Sequence, residues 1–222
     1  MRLLISALLL ILSTTASSSW AYPKATDHPQ RWQLSFESSG LRFYRDLRTG
    51  QGYWVLIYEV TNETDRDQRW VPSFTLVTDH GEVLDSGADV PRRIHMAILE
   101  TFGDPLLTLQ PEMSGSLMRG KEHAIRGLGV WKAGHENVRE VQVFVGGVSG
   151  DTAKVKNPVT GEQITLHRDL QLSWRIPGSI DGLHLKPLPR REIGGGVSVR
   201  RPSTQDVEAS AEDQALRRWV FR

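Results

Sequence analysis

The run from Tyr53 to Asn62 constrains the fold of this chain more than any other stretch of its sequence. Both alternating sets of its residues are apolar: Trp54, Leu56, Tyr58 and Val60 on one side, Tyr53, Val55 and Ile57 on the other. β-Branched and aromatic residues favour a pleated, buried backbone, and a short run of this kind between turn residues is typical of a strand. We therefore predict that it is the central strand of a β-sandwich.

Shorter alternating segments surround this central run. Residues 31–37 predict a half-buried strand, and Asp79-His80-Gly81 predicts a tight hairpin. Pro72 lacks a backbone N–H, so the segment around residues 70–77 should be an edge strand or carry a bulge. A long alternating strand ends at Ile176, and Arg168 alone interrupts its apolar row, which indicates a bulge or a rim. Turn signals at roughly ten-residue spacing are typical of an all-β sandwich.

One segment breaks the strand pattern and predicts a short inserted helix over about residues 90–102. Asp89 is a candidate cap, Pro91 suits the first turn, and Gly103 suits the end. Its apolar face carries Ile94, Ile98 and Phe102 at four-residue spacing. We expect this face to close one end of the sandwich.

The amino-terminal residues have the pattern of a secretory signal peptide. Arg2 precedes an apolar run of about ten residues, followed by small and hydroxyl residues up to Ala21. This run is too short for a bilayer core, which needs about twenty residues. We predict cleavage before Tyr22, with cleavage after Ala16 as the alternative. The mature chain should then be periplasmic or extracellular and have no transmembrane span.

The predicted organisation is a signal peptide over residues 1–21, one domain over 22–177 and an extended, flexible tail over 178–222. Prolines, three consecutive glycines and arginine pairs set the tail apart from the domain. A short terminal helix from Asp206 to Arg218 is possible, because acidic residues begin it and arginines end it. The apolar end that contains Trp219 and Phe221 should dock on the domain or meet a partner.

Part of the sequence resembles secreted immunoglobulin-like domains of the telokin-like group. The phrase from Tyr58 to Thr64, the strand of residues 70–77 and the segment from Arg126 to Trp131 carry the resemblance, which covers about residues 31–177. The chain departs from that pattern in the inserted helix and the long final hairpin. The resemblance implies an Ig-like antiparallel β-sandwich and transfers no catalytic residues, because the group shares none.

The residue types exclude several chemistries. There is no cysteine, which excludes a disulfide framework, a thiol nucleophile and Cys-ligated zinc. The seven histidines form none of the short-spaced pairs that usually mark a zinc or copper site. A net charge of +1 gives no basic excess for nucleic acid. We therefore predict no metal, no cofactor and no nucleic-acid partner.

The function predicted from the sequence is an exported, non-catalytic binding or structural module that contacts another protein. The candidate surfaces are the loop after the central strand, the inserted helix and the chain end. The candidate binding residues are Asn62, Arg66, Arg92, Arg93, Trp219 and Phe221. Asn62-Glu63-Thr64 also fits the N-glycosylation pattern, although a structural turn is the simpler interpretation.

Two alternatives remain open at this stage. The first is an exported hydrolase whose site assembles from scattered residues: His80, His95, His123, Asp79 and Asp85. The second is a metal-binding module built from histidines that are distant in sequence.

Overall fold

A computed structural model describes residues 22–176 and 216–222 of the chain. The predicted signal peptide and most of the predicted tail lie outside the described residues. The described part is mostly β-structure, with two larger sheets, one two-stranded sheet, one α-helix and a short 3-10 helix, Gln110–Met113. This confirms the prediction of an all-β fold.

The smaller of the two larger sheets has four strands in the order β1, β2, β8 and β6. Their bounds are β1 Ser35–Arg45, β2 Gly52–Asn62, β6 Leu107–Leu109 and β8 Gly120–Lys132. The predicted central strand is β2, which pairs antiparallel with β1 on one side and β8 on the other. β6 runs parallel to β8, so the pairing at this edge differs from the predicted antiparallel sandwich.

The larger sheet has six strands, and β11 lies next to β9, β10 and β12. The bounds are β4 Ser73–Thr78, β5 Val83–Asp85, β9 Glu140–Gly146, β10 Thr152–Lys156, β11 Gln163–Arg175 and β12 Leu216–Phe221. The small sheet pairs β3 Gln68–Trp70 with β7 Gly115–Leu117. The segment around Pro72 forms two strands instead of one: β3 ends before Pro72, β4 begins after it, and the two join different sheets. The hairpin at Asp79-His80-Gly81 joins β4 to β5 as predicted.

The main core lies between the four-stranded and six-stranded sheets. Tyr58 of β2 is fully buried, and its ring lies 5.4 Å from Phe36 of β1 and 4.6 Å from Phe74 of β4. Such aromatic pairs add about 0.5–1.5 kcal/mol to the stabilisation from burial. The same ring lies over Gly127 of β8, where a Cβ atom would be 2.3 Å from it. The two sheets therefore enclose one shared apolar core.

The other face of the four-stranded sheet is covered by the helix, α1 Arg92–Phe102. Its buried residues are the three predicted from spacing: Ile94, Ile98 and Phe102. They pack with Val55, Ile57 and Val130 in a second apolar cluster. Our expectation that the helix closes one end of the sandwich is therefore wrong, because the helix packs on the apolar outer face of β2 and β8.

The helix ends were predicted with mixed success. Gly103 ends α1 in the left-handed conformation at φ 61°, and its N–H donates to the carbonyl of Leu99. Pro91 is the N-cap residue and no side chain caps the helix. Asp89 therefore does not cap it, and lies before it at φ 55°.

The carboxy-terminal residues differ most from the sequence-based expectation. The sequence favours residues 216–218 as the end of a terminal helix, but they belong to β12, which pairs antiparallel with β11. The end of the chain thus lies in the six-stranded sheet rather than in a tail. No helix among the described residues is long and apolar enough to cross a membrane.

Candidate functional site

The candidate site is the edge of β11 where β12 binds. We call the β11 residues 167–173, with the side chains that contact β12, the strand seat. The N–H and carbonyl of His167 bond to the carbonyl and N–H of Arg222, at 2.8 and 3.0 Å. In an antiparallel ladder this hydrogen-bonded pair fixes the direction of every other backbone group. The N–H and carbonyl groups of residues 218, 220 and 222 point towards β11, and those of residues 217, 219 and 221 point away from it.

On the core side of the strand seat, Arg168 contacts β12 through Trp219. The guanidinium is 3.9 Å from the centre of the indole ring, and Arg168 is only 1% exposed. It donates hydrogen bonds to Gln33 Oε1 and to the carbonyl of Thr26, both at 2.7 Å, and to Ser149 Oγ at 3.3 Å. Arg168 therefore joins the carboxy-terminal strand to the amino-terminal segment.

The charge of Arg168 is balanced by Asp151. Asp151 Oδ2 lies 3.9 Å from the guanidinium, and the carboxylate accepts the N–H groups of Gln30 and Arg31 at 2.9 and 2.7 Å. Burial lowers the pKa of Arg168, and the negative charge of Asp151 opposes that effect. A buried cation held this way needs its partners, because breaking a buried pair costs about 3–5 kcal/mol.

On the outer side of the strand seat, Asp169 contacts the last residue of the sequence. Arg222 Nε lies 3.3 Å from Asp169 Oδ2, and Arg222 Nη2 donates to Thr75 Oγ1 at 3.0 Å. The Arg222 guanidinium also lies 4.9 Å from the ring centre of Phe144. Thr75 in turn donates to Asp85 at 3.2 Å. The chain end is thus held by a polar network across three strands.

Asp169 is a buried carboxyl group that is only 7% exposed. Burial raises its pKa from 3.8 to about 6, although the positive charges of Arg222 and His167 act in the opposite direction. The desolvation of the carboxylate is therefore larger than the attraction of its ion pair. Asp169 changes its charge close to neutral pH, while it contacts β12.

Further contacts hold β12 along its length. Arg218 donates to Gln171 at 2.8 Å, and Gln171 donates to Gln142 of β9 at 2.9 Å. Arg217 reaches in the other direction and donates to the carbonyl of Phe36 in β1 at 2.5 Å. The hydroxyl of Tyr22 donates to the carbonyl of Phe221. These contacts fix the register of β12 independently of the backbone ladder.

The residues proposed from sequence lie in three separate places. Asn62 is the last residue of β2 and Arg66 lies in the loop that follows, whereas Arg93 lies at the start of α1 and pairs with Asp46 at 2.7 Å. Asp46 follows β1 at the opposite end of the sheet from Asn62, and the hydrogen bond from Arg93 holds its pKa at about 2. The neighbouring Arg92 is exposed.

Trp219 and Phe221 form the third group, in β12. Trp219 packs against the main core and Arg168, which agrees with docking of the chain end on the domain. The structure therefore does not bring the six residues into one surface.

Asn62 has a structural role in the described chain. Its side chain is fully buried, and Nδ2 donates to the carbonyls of Arg66 and Leu117 at 3.0 and 2.9 Å. Its Oδ1 accepts the N–H and the hydroxyl of Thr64. The interpretation as a structural turn agrees with these bonds. Glycosylation at Asn62 does not fit the folded chain, because Nδ2 is enclosed and already bonded.

The residues of the hydrolase alternative do not converge. His80 lies in the β4–β5 turn, where its ring stacks on His135 at 5.0 Å. His95 is on α1 and His123 is on β8, where it lies 3.9 Å from Glu122. Asp79 and Asp85 bind the N–H of Arg139 and the hydroxyl of Thr75. In residues 22–176 and 216–222, no group of three or more His, Asp or Glu side chains could hold a metal ion.

Sequence reasoning missed the residues that define the strand seat. Arg168 gave a signal, since it is the one charged residue in the apolar row of β11, and a buried arginine needs several acceptors. No sequence signal indicates the contact between Asp169 and Arg222, because it depends on the pairing of β11 with β12.

The fold and the site define an all-β protein in which two facing sheets share a core and β12 adds the outer strand of the larger sheet. No protein-family model, curated protein or solved structure matches this chain.

Proposed function

We propose that this protein is an exported, non-catalytic module with an Ig-like β-sandwich fold that binds another protein. The apolar run before Ala21 supports export, and two facing sheets support the sandwich. The observation that carries the binding function is the outer edge of β12. This edge belongs to the largest sheet and presents backbone groups in the extended conformation.

The outer edge of β12 has hydrogen-bonding capacity. Arg217 and Trp219 direct their N–H and carbonyl groups away from β11, and within the described residues β12 pairs with β11 alone. An exposed edge of this kind accepts an extended peptide, because main-chain hydrogen bonds supply affinity and alternate side chains supply specificity. The binding mode that follows is addition of a partner strand beside β12.

The charge of β12 indicates which partner strand suits it. Residues 216–222 contain three arginines and no acidic residue. A partner segment with Asp or Glu at alternate positions would therefore be favoured over a basic one, since complementary charge speeds association and excludes unsuitable partners. The proposed partner is a protein with an extended, acidic segment.

A proline substitution tests this mode of binding. Arg217→Pro removes an N–H that faces away from β11, so it blocks strand addition and leaves the ladder to β11 in place. Arg217→Ala is the matched control, because both variants lose the side-chain bond to the carbonyl of Phe36. The full chain and both variants would be used to capture proteins from the culture fluid or a surface extract of the source cells.

The expected result is a stoichiometric partner that binds the full chain and the alanine variant and is lost with the proline variant. Circular dichroism and thermal unfolding would verify that the proline variant keeps its fold. Equal capture of the partner by all three proteins would refute the outer edge of β12 as the binding surface. A capture experiment that yields no partner for the full chain would contradict the binding function itself.

A further inference from the structure

β12 reaches the strand seat after a long stretch of chain. Residues 177–215, roughly 40 residues, separate the end of β11 from the start of β12. A hairpin between paired antiparallel strands needs only about two to five residues. Fully extended, 40 residues span more than about 100 Å. The length of the connection therefore allows β12 to reach a neighbouring molecule as well as its own β11.

Every described contact of β12 would be reproduced by a β12 from another copy. The ladder joins residues 216–221 to 168–173, and the side chains of β12 meet residues distant in sequence, such as Arg168, Asp169 and Gln171. None of these contacts depends on the covalent link between β11 and β12. The strand seat therefore recognises a sequence pattern: an aromatic ring that contacts Arg168, and two arginines whose side chains reach Gln171 and Asp169.

We propose that β12 is an exchangeable strand and that the strand seat is an acceptor site for β12 of a second copy of this chain. Exchange of an identical element between copies is a known route to dimers. The chain's own β12 has the advantage while the chain is intact, because its covalent link to β11 makes the pairing intramolecular and so raises the effective concentration of β12. The exchanged form becomes prominent when the connection is cut or the protein is highly concentrated.

This inference does not rest on the proposed function. Exchange uses the edge of β12 that faces β11, whereas partner binding uses the opposite edge. Arg217→Pro, which should abolish partner capture, should therefore leave the exchange of β12 within about threefold of that of Arg217→Ala, since both variants lose the bond to Phe36 and the proline removes only an N–H outside the β11 ladder. The failure of one proposal is thus distinguishable from the failure of the other.

The test uses the full chain with a specific protease site in place of Gly194-Gly195-Gly196. The folded protein is cleaved, and cleaved protein of natural isotope content is mixed with a fully ¹⁵N-labelled cleaved sample. Native mass spectrometry then follows the species. Hybrids of a light body with a heavy carboxy-terminal fragment are the expected result. A fluorescent peptide of residues 216–222 should also displace the fragment and saturate the site.

The controls are two further peptides. A peptide with Trp219→Ala should bind at least about tenfold more weakly, because it loses the contact with Arg168. A peptide with the same residues in scrambled order should not displace the fragment. Absence of hybrids while the cleaved protein stays folded would overturn the proposal. Loss of the fold when the fragment leaves would also overturn it, because β12 would then be an integral part of the domain.

Discussion

Asp169 gives the sharpest test of the electrostatics at the strand seat. Its pKa is raised from 3.8 to about 6, so the folded state binds the proton more tightly than the unfolded state. The stability contributed by protonated Asp169 is fully present below about pH 4 and is lost as the pH rises through about 6. A difference of about two pKa units corresponds to at most about 3 kcal/mol, at 1.36 kcal/mol per unit.

Asp169→Asn removes this titration and keeps a side chain of similar shape. The quantity compared is the free energy of unfolding of the unmodified protein minus that of the variant. We expect this difference to fall by about 1–3 kcal/mol between pH 4 and pH 8. Urea unfolding of both proteins at several pH values measures the difference. The variant Asp65→Asn, in an exposed loop, controls for the change in net charge.

Two outcomes would refute the argument about Asp169. A difference between the two proteins that stays constant within about 0.5 kcal/mol from pH 4 to pH 8 would mean that burial does not raise the pKa. A relative gain in stability of the unmodified protein as the pH rises would mean that the ion pair with Arg222 is stronger than the desolvation of the carboxylate.

Three further substitutions test the packing, each measured by chemical unfolding. Ile98→Ala should lower the free energy of unfolding by about 2–5 kcal/mol, whereas Met96→Ala on the exposed side of α1 should change it by less than about 0.5 kcal/mol. Gly127→Ala should cost about 1–3 kcal/mol because its Cβ would meet the ring of Tyr58, whereas Gly115→Ala has open space and should cost less. Asn62→Ala should cost about 2–4 kcal/mol, since it leaves buried carbonyls without a donor. Equal losses within either matched pair, or no loss for Asn62→Ala, would contradict the packing described here.

The sequence predicts the parts of the fold that depend on neighbouring residues. The alternation in β2 and the four-residue spacing of Ile94, Ile98 and Phe102 are local patterns, and both were confirmed. Each pattern states which residues are buried. Neither pattern states which surface covers these residues. For this reason the sequence predicts the helix at an end of the sandwich, whereas the structure has it on the outer face of the four-stranded sheet.

The strand seat could not be predicted for the same physical reason. Its contacts join residues 26–33, 149–151, 168–169 and 217–222, which are far apart in sequence. The residues near the end of the chain have only a weak local preference for any structure. The acidic residues at the start of residues 206–218 and the arginines at their end therefore decide the prediction, and they favour a helix. Pairing with β11 overrides that preference for residues 216–218.

The position of β12 has a consequence for how the protein is made. A ribosome releases residues 216–222 later than every other described residue, so the six-stranded sheet is synthesised with the edge of β11 still uncovered. During that interval Arg168 lacks the indole of Trp219, and the backbone groups of residues 167–173 that later bind β12 are exposed. A nascent or truncated chain is therefore the form most prone to pair with the wrong strand.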